Sequence, residues 1–160
     1  MRRAVFVIAA IVAAQSALAG GHPGGSFRWG GSFAGQDEFA VVRANASAAD
    51  PNGDFLVAGT TEGAVDFDPG PGLAVDNSLA ESEDAFVVKL SAEGQRIWTR
   101  TFRGENVQQA LAVATDALGN VYVAGRFAAV ADFDPLGGVL NLTADGLDAF
   151  AAKLSPDGAI

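Results

Sequence analysis

Gly53-Asp-Phe-Leu-Val-Ala-Gly59 and Gly119-Asn-Val-Tyr-Val-Ala-Gly125 are two copies of one pattern, 66 residues apart. The same spacing carries Asp66-Phe67-Asp68-Pro69 onto Asp132-Phe133-Asp134-Pro135, and Gly72 onto Gly138. Asp84 to Gly94 (DAFVVKLSAEG) matches Asp148 to Gly158 (DAFAAKLSPDG) at a spacing of 64, with seven of eleven positions identical. Trp29 and Phe33 align with Trp98 and Phe102 at a spacing of 69. The drift from 69 to 64 places small length changes in loops, where repeats tolerate them. The chain is therefore a tandem repeat, and its fold is that of one unit stacked on the next.

Each unit reads as four strands. Gln109–Thr115 and Asn120–Phe127 are joined by Asp116-Ala-Leu-Gly119. Asp148–Ser155, matching Asp84–Ser91, supplies a third strand after a longer loop. Ser91-Ala-Glu-Gly94 then turns into a fourth, Arg96–Phe102. Both turns put Asp or Ser first and Gly fourth, the chemistry of a type I turn closed by a left-handed glycine. LAVAT, FLVAG and VYVAG do not alternate cleanly between apolar and polar, so these strands are expected to be covered on both faces. The fold class that follows is all-β: β-propeller blades, about two four-stranded antiparallel repeats. A β-sandwich suits the composition too, but does not require whole four-stranded units to recur.

Composition agrees: 49% apolar residues, 20 glycines and 11 phenylalanines in 160 residues suit many short strands and turns. There is no cysteine, which excludes disulfides and thiolate chemistry. The single histidine, His22, stands in a Gly/Pro-rich stretch, so no Ser-His or Cys-His pair is available inside the repeats.

Met1-Arg2-Arg3, the apolar run Ala4–Ala14 and Ala17-Leu18-Ala19 form a secretory signal peptide over 1–19, cleaved between Ala19 and Gly20. The apolar run is too short for the roughly 20 residues of a membrane span, so no span is expected after cleavage. Residues 20–26 are a Gly/Pro-rich linker; 27–160 form the repeat region, repeat 1 over about 27–94 and repeat 2 over about 95–158. Cleavage leaves 8 basic against 19 acidic side chains, a net charge of −11. That sign repels phosphate backbones, so nucleic acid is not the expected partner. The expected location is secreted, periplasmic or cell-surface.

Several of these segments, linked in fixed order, resemble a known family, the bacterial seven-bladed β-propeller repeat (SBBP repeat) proteins. The residues concerned are Asp116-x-x-Gly-Asn-x-Tyr-Val-Ala-Gly125, Asp132-Phe-Asp-Pro135, Asp148-Ala-Phe-x-x-Lys-Leu-Ser-x-x-Gly158, and Trp98 four residues beyond Gly94. The likeness runs from about Ser26 to Gly158. It implies a propeller and says little of activity, since propellers host binding and catalysis alike. Propellers use about 4–8 blades, so two copies, the second without a fourth strand, read as an incomplete propeller or a fragment. By analogy Trp29–Phe33 is a fourth strand closing onto the last blade. Two blades alone leave large apolar faces bare, so the isolated chain is expected to self-associate.

The acidic loops are the most suggestive chemistry. In an extended chain residues i and i+2 face one side, which groups Asp66 with Asp68 and Asp132 with Asp134. The loops end at Asp84 and Asp148, and neither 66–84 nor 132–148 contains Lys or Arg. Clustered oxygens without counter-cations suit Ca²⁺, held by Asp66, Asp68, Asp84, Asp132, Asp134 and Asp148. The alternative is that these carboxylates accept backbone N–H bonds and cap turns. Lys89 and Lys153 read as solvated edge or rim groups, Trp29 and Trp98 as packing residues. Asn45-Ala-Ser47 and Asn141-Leu-Thr143 fit the N-glycosylation triplet, which alone is weak evidence.

With no catalytic residues to name, the expected function is an exported, non-catalytic repeat protein that binds protein or glycan. Two alternatives stay open: a structural or adhesive segment of a larger cell-surface protein, and a fragment of an enzyme whose catalytic residues lie beyond Ile160.

Overall fold

The structure, a computed structural model, describes residues 29–77 and 82–160. The signal peptide, the Ala19/Gly20 cleavage site, the 20–26 linker and His22 lie outside the described residues. Ten strands follow one another: β1 (Ala34–Gly35), β2 (Val41–Ala49), β3 (Phe55–Glu62), β4 (Ala64–Asp66), β5 (Val75–Asn77), β6 (Asp84–Leu90), β7 (Arg96–Gly104), β8 (Gln108–Thr115), β9 (Val121–Asp132) and β10 (Asn141–Leu154). No helix occurs among the described residues.

The turns form as their residues dictate. Gly53, Gly94, Gly119 and Gly158 all adopt φ between 80° and 85°, and each donates its N–H to the carbonyl of the Asp or Ser three residues earlier. The short polar side chain at the first position accepts further N–H bonds; Asp50 Oδ1, for example, takes those of Asn52 and Asp54. With the turns set, β2-β3-β6-β7 form one antiparallel meander, which runs through repeat 1 into Arg96–Gly104, and β8-β9-β10 form another within repeat 2. A short pairing, Arg103 with Asp132 and Gly104 with Ala131, joins β7 to β9 and makes one continuous sheet. That sheet curls until β8 lies against β2 and β3.

Both repeats carry the same irregularity. A bulge interrupts β2/β3 between Ala44 and Ala46, and β8/β9 between Ala110 and Ala112. Opposite each bulge stands a glycine where any Cβ is impossible. At Gly59 it would lie 1.9 Å from the Arg43 carbonyl oxygen, and at Gly125 1.8 Å from that of Gln109. The closing glycine of each Val-Ala-Gly motif is thus demanded by the bulge.

Two apolar clusters hold the sheet. Inside the curl, Leu56, Ala58, Ala85 and Val87 of repeat 1 pack with Val121, Val123, Phe127, Phe150 and Leu154 of repeat 2. On the other face of repeat 1, Val65, Phe67, Phe86 and Val88 are covered by Trp29 and Phe33. The aromatic triads are equivalent: Phe33, Phe67 and Phe86 in one, Phe102, Phe133 and Phe150 in the other, with ring centroids 4.8–6.2 Å apart.

Three expectations need correction. Trp29–Phe33 is not a strand, because a strand needs a hydrogen-bonding neighbour; only Ala34 and Gly35 pair, with β4. Side chains hold the segment instead. The connection between the second and third strands is partly ladder, since β4 pairs with β5 and residues 130–132 of β9 pair with 141–143 of β10. Lys89 is not a solvated edge group: β6 is a central strand, and Lys89 is buried at 4% exposure.

Candidate functional site

The Asp-Phe-Asp-Pro loops are built alike in both repeats. Asp66 Oδ1 accepts the N–H groups of Asp68 and Ala74, and Asp132 Oδ1 those of Asp134 and Leu140. Asp68 Oδ1 takes the Gly70 N–H and Asp134 Oδ1 that of Leu136. These carboxylates therefore hold their own loops. Asp84 accepts the Gly104 N–H and Asp148 that of Asp145. Asp66 and Asp68, like Asp132 and Asp134, are linked through the backbone N–H of the second residue. Among the described residues the structure gathers no three His, Asp or Glu side chains into a metal-sized group.

Besides Asp66 and Asp84, buried charge gathers at Lys89, whose partners Asp50 and Asp54 sequence reasoning passed over. Lys89 Nζ on β6 reaches across β3 to Asp50 Oδ2 at 2.8 Å and Asp54 Oδ2 at 3.2 Å. Burial alone would raise the Asp50 carboxyl, but the Lys89 ammonium and the N–H groups of Asp54 and Asn52 outweigh it and hold its pKa below the usual value. Burial likewise pulls the Lys89 ammonium down, yet the two carboxylates keep it above its ordinary value. Both partners are charged, which makes the cluster a latch between a turn and the central strand. Its signal was the Asp50-x-x-x-Asp54 spacing.

Repeat 2 builds the same corner without the ion cluster. Asn120 replaces Asp54, and its amide donates to Asp116 Oδ2 at 2.8 Å; the Tyr122 hydroxyl donates to the same oxygen at 3.0 Å. Led by the Asn120 amide, these donors and the N–H groups of Asn120 and Leu118 hold the Asp116 carboxyl at about 2. Lys153 is exposed and sits 5.3 Å from the Tyr122 ring centroid.

The sheet faces differ as sharply. Leu56, Ala58, Ala85 and Val87 are fully buried. Their equivalents in repeat 2, Tyr122, Ala124, Ala149 and Ala151, are exposed, with Leu142 and Leu147 beside them at 42% and 53% exposure. This bare apolar face sets repeat 2 apart from repeat 1. Asn45, part of a glycosylation triplet, is engaged where the repeats meet: its amide donates to the Ala110 carbonyl at 2.9 Å. Asn141, in the other triplet, is exposed at the start of β10. No known protein family matches the chain, and no curated protein matches it.

Proposed function

We propose that this chain is an exported, non-catalytic β-propeller repeat segment that acts by binding protein, and that its first partner is another repeat of its own kind, on a second copy of the chain. One observation carries the reading: the face that repeat 1 buries, through Leu56, Ala58, Ala85 and Val87, is presented bare by repeat 2. The existing contact between the repeats supports one kind of occupant for such a face. The occupant is the opposite face of a repeat, which in repeat 2 carries Val121, Val123, Phe150 and Leu154. In repeat 1 the equivalent residues Phe55, Val57, Phe86 and Leu90 lie under Trp29 and Phe33, whose half-buried rings form the outer surface of that face. Docking these two faces is a head-to-tail contact, which closes into a ring or extends. It would enclose Lys153 beside Asp116, as Lys89 is enclosed beside Asp50. Export rests on the signal-peptide pattern of residues 1–19.

The test is the oligomeric state of the mature chain at micromolar concentration by analytical ultracentrifugation. Concentration-dependent association is expected. Ala151→Glu, which sets a charge in the middle of the bare face, should return a folded monomer. A wild-type chain that stays monomeric removes the proposal.

A further inference from the structure

Strand β7 does two things at once. Its backbone pairs with β6, setting Phe102 opposite Ala85, Arg100 opposite Val87 and Trp98 opposite Lys89. Its side chains cap repeat 2. The Trp98 indole N–H donates to the Pro156 carbonyl at 3.0 Å. The Arg100 guanidinium carbon lies 5.3 Å from the indole centroid, and the group donates to the Asp157 and Gly158 carbonyls at 2.7 and 2.9 Å. Phe102 meets Phe133 and Phe150 with ring centroids 5.4 and 5.9 Å apart.

Trp29–Phe33 makes the second kind of contact without the first. The Trp29 indole N–H donates to the Ala92 carbonyl, also at 3.0 Å, in the turn of repeat 1 that matches the one holding Pro156. Phe33 meets Phe67 and Phe86 at 5.4 and 6.2 Å, the partners that match Phe133 and Phe150. The segment thus caps repeat 1 as β7 caps repeat 2, but among the described residues no strand pairs with it. The strand it lacks is one equivalent to β6. Repeat 2 has that strand, β10, whose edge away from β9 is unpaired among the described residues. An open edge of backbone N–H and C=O groups is a template for another strand.

We propose that Trp29–Phe33 of a second copy is the strand that completes repeat 2, pairing antiparallel along β10 as β7 pairs along β6. The β6/β7 register carries over: Ala149 stands opposite Phe33, Ala151 opposite Gly31 and Lys153 opposite Trp29. Trp29 and Phe33 are already turned onto their own repeat 1. The same two rings then cap repeat 1 of one copy and extend the bare face of repeat 2 in the other. Two glycines in five residues make the segment a poor strand alone, so its pairing waits for the partner's edge. This pairing rests on the head-to-tail contact proposed above, and names the segment that joins its two faces.

The test combines cross-linking with hydrogen exchange on the mature chain, which has no cysteine of its own. Gly30→Cys and Ala152→Cys, prepared separately and mixed at micromolar concentration in a glutathione redox buffer, should form a mixed disulfide, because directly opposed residues lie within bridging distance. Lys153→Cys, whose side chain points to the other face, should cross-link to Gly30→Cys at least about tenfold less. In the unmutated chain, amides of 30–33 and 149–153 should exchange at least about tenfold more slowly when associated than when dilute. Association without that slowing, or with equal cross-linking at 152 and 153, overturns the strand pairing and leaves the contact between faces standing. A chain that stays monomeric removes both.

Discussion

In repeat 1 a lysine lies buried between two aspartates; in repeat 2 the lysine at the same position stands in solvent over a tyrosine ring. The motif around both is Asp-Ala-Phe-x-x-Lys-Leu-Ser. Covering makes the difference. β6 is a central strand with every residue buried, while β10 pairs, among the described residues, with β9 alone and has most of its residues exposed. Where water is excluded a lone ammonium is costly, and Asp54 supplies a second carboxylate. Where water is present, Asn120 and Tyr122 satisfy Asp116 and the lysine needs no partner. The same local sequence thus yields an ion latch or a solvated side chain according to what lies on top of it.

Lys89→Met breaks that comparison most severely. It leaves Asp50 buried and Asp54 half-buried without their cation and should cost about 3–5 kcal/mol. Lys153→Met, an exposed change, should stay within about 0.5 kcal/mol. Urea unfolding of both variants measures the contrast, and equal losses would mean that burial does not separate the repeats.

A smaller effect sits just after β3 in repeat 1 and at the matching place within β9 in repeat 2. Gly63 has φ 72° in repeat 1, and its counterpart Ala129 holds φ 57°. Left-handed backbone costs a residue with a Cβ about 1–2 kcal/mol. Ala129→Gly should therefore stabilise the chain by about 0.5–1 kcal/mol, after the greater unfolded freedom of glycine is set against it. Gly63→Ala should destabilise, the more so because its Cβ would lie 3.0 Å from the Ala40 backbone. Thermal melts of the two variants should move in opposite directions.

The smallest effect is the acid titration of repeat 2. Asp116 has its pKa lowered from 3.8 to about 2. Its contribution to stability is therefore complete above pH 3.8 and lost as pH falls through about 2. Asn120→Asp, which installs the residue of repeat 1, removes the main donor and adds a like charge. The Asp116 titration followed by carboxyl-carbon NMR should then move upward; an unchanged midpoint would show that the Asn120 amide does not set it.

Much of the fold was legible in the chain. The turns at Gly53, Gly94, Gly119 and Gly158 followed from Asp or Ser first and Gly fourth, because only local hydrogen bonds and φ are involved. The meander of repeat 1 followed from the doubly apolar strands between them. The bulges at Asn45 and Leu111 did not, since a bulge is a property of the pairing of two strands. Trp29–Phe33 read as a strand by likeness to Trp98–Phe102, yet pairing depends on a neighbour that the segment itself does not carry. Lys89 read as a rim group because its sequence is that of Lys153.

By itself, then, the sequence determined the repeat, the strand and turn grammar, and the glycines, all matters of short-range geometry. Burial was decided by the tertiary structure alone. Which of two equivalent faces is covered, which of two equivalent lysines is paired, and which of two tryptophans carries an arginine across it depend on what packs there. Such contacts join residues about 60 positions apart, as Arg100 meets Asp157 and Gly158, and no local pattern encodes them.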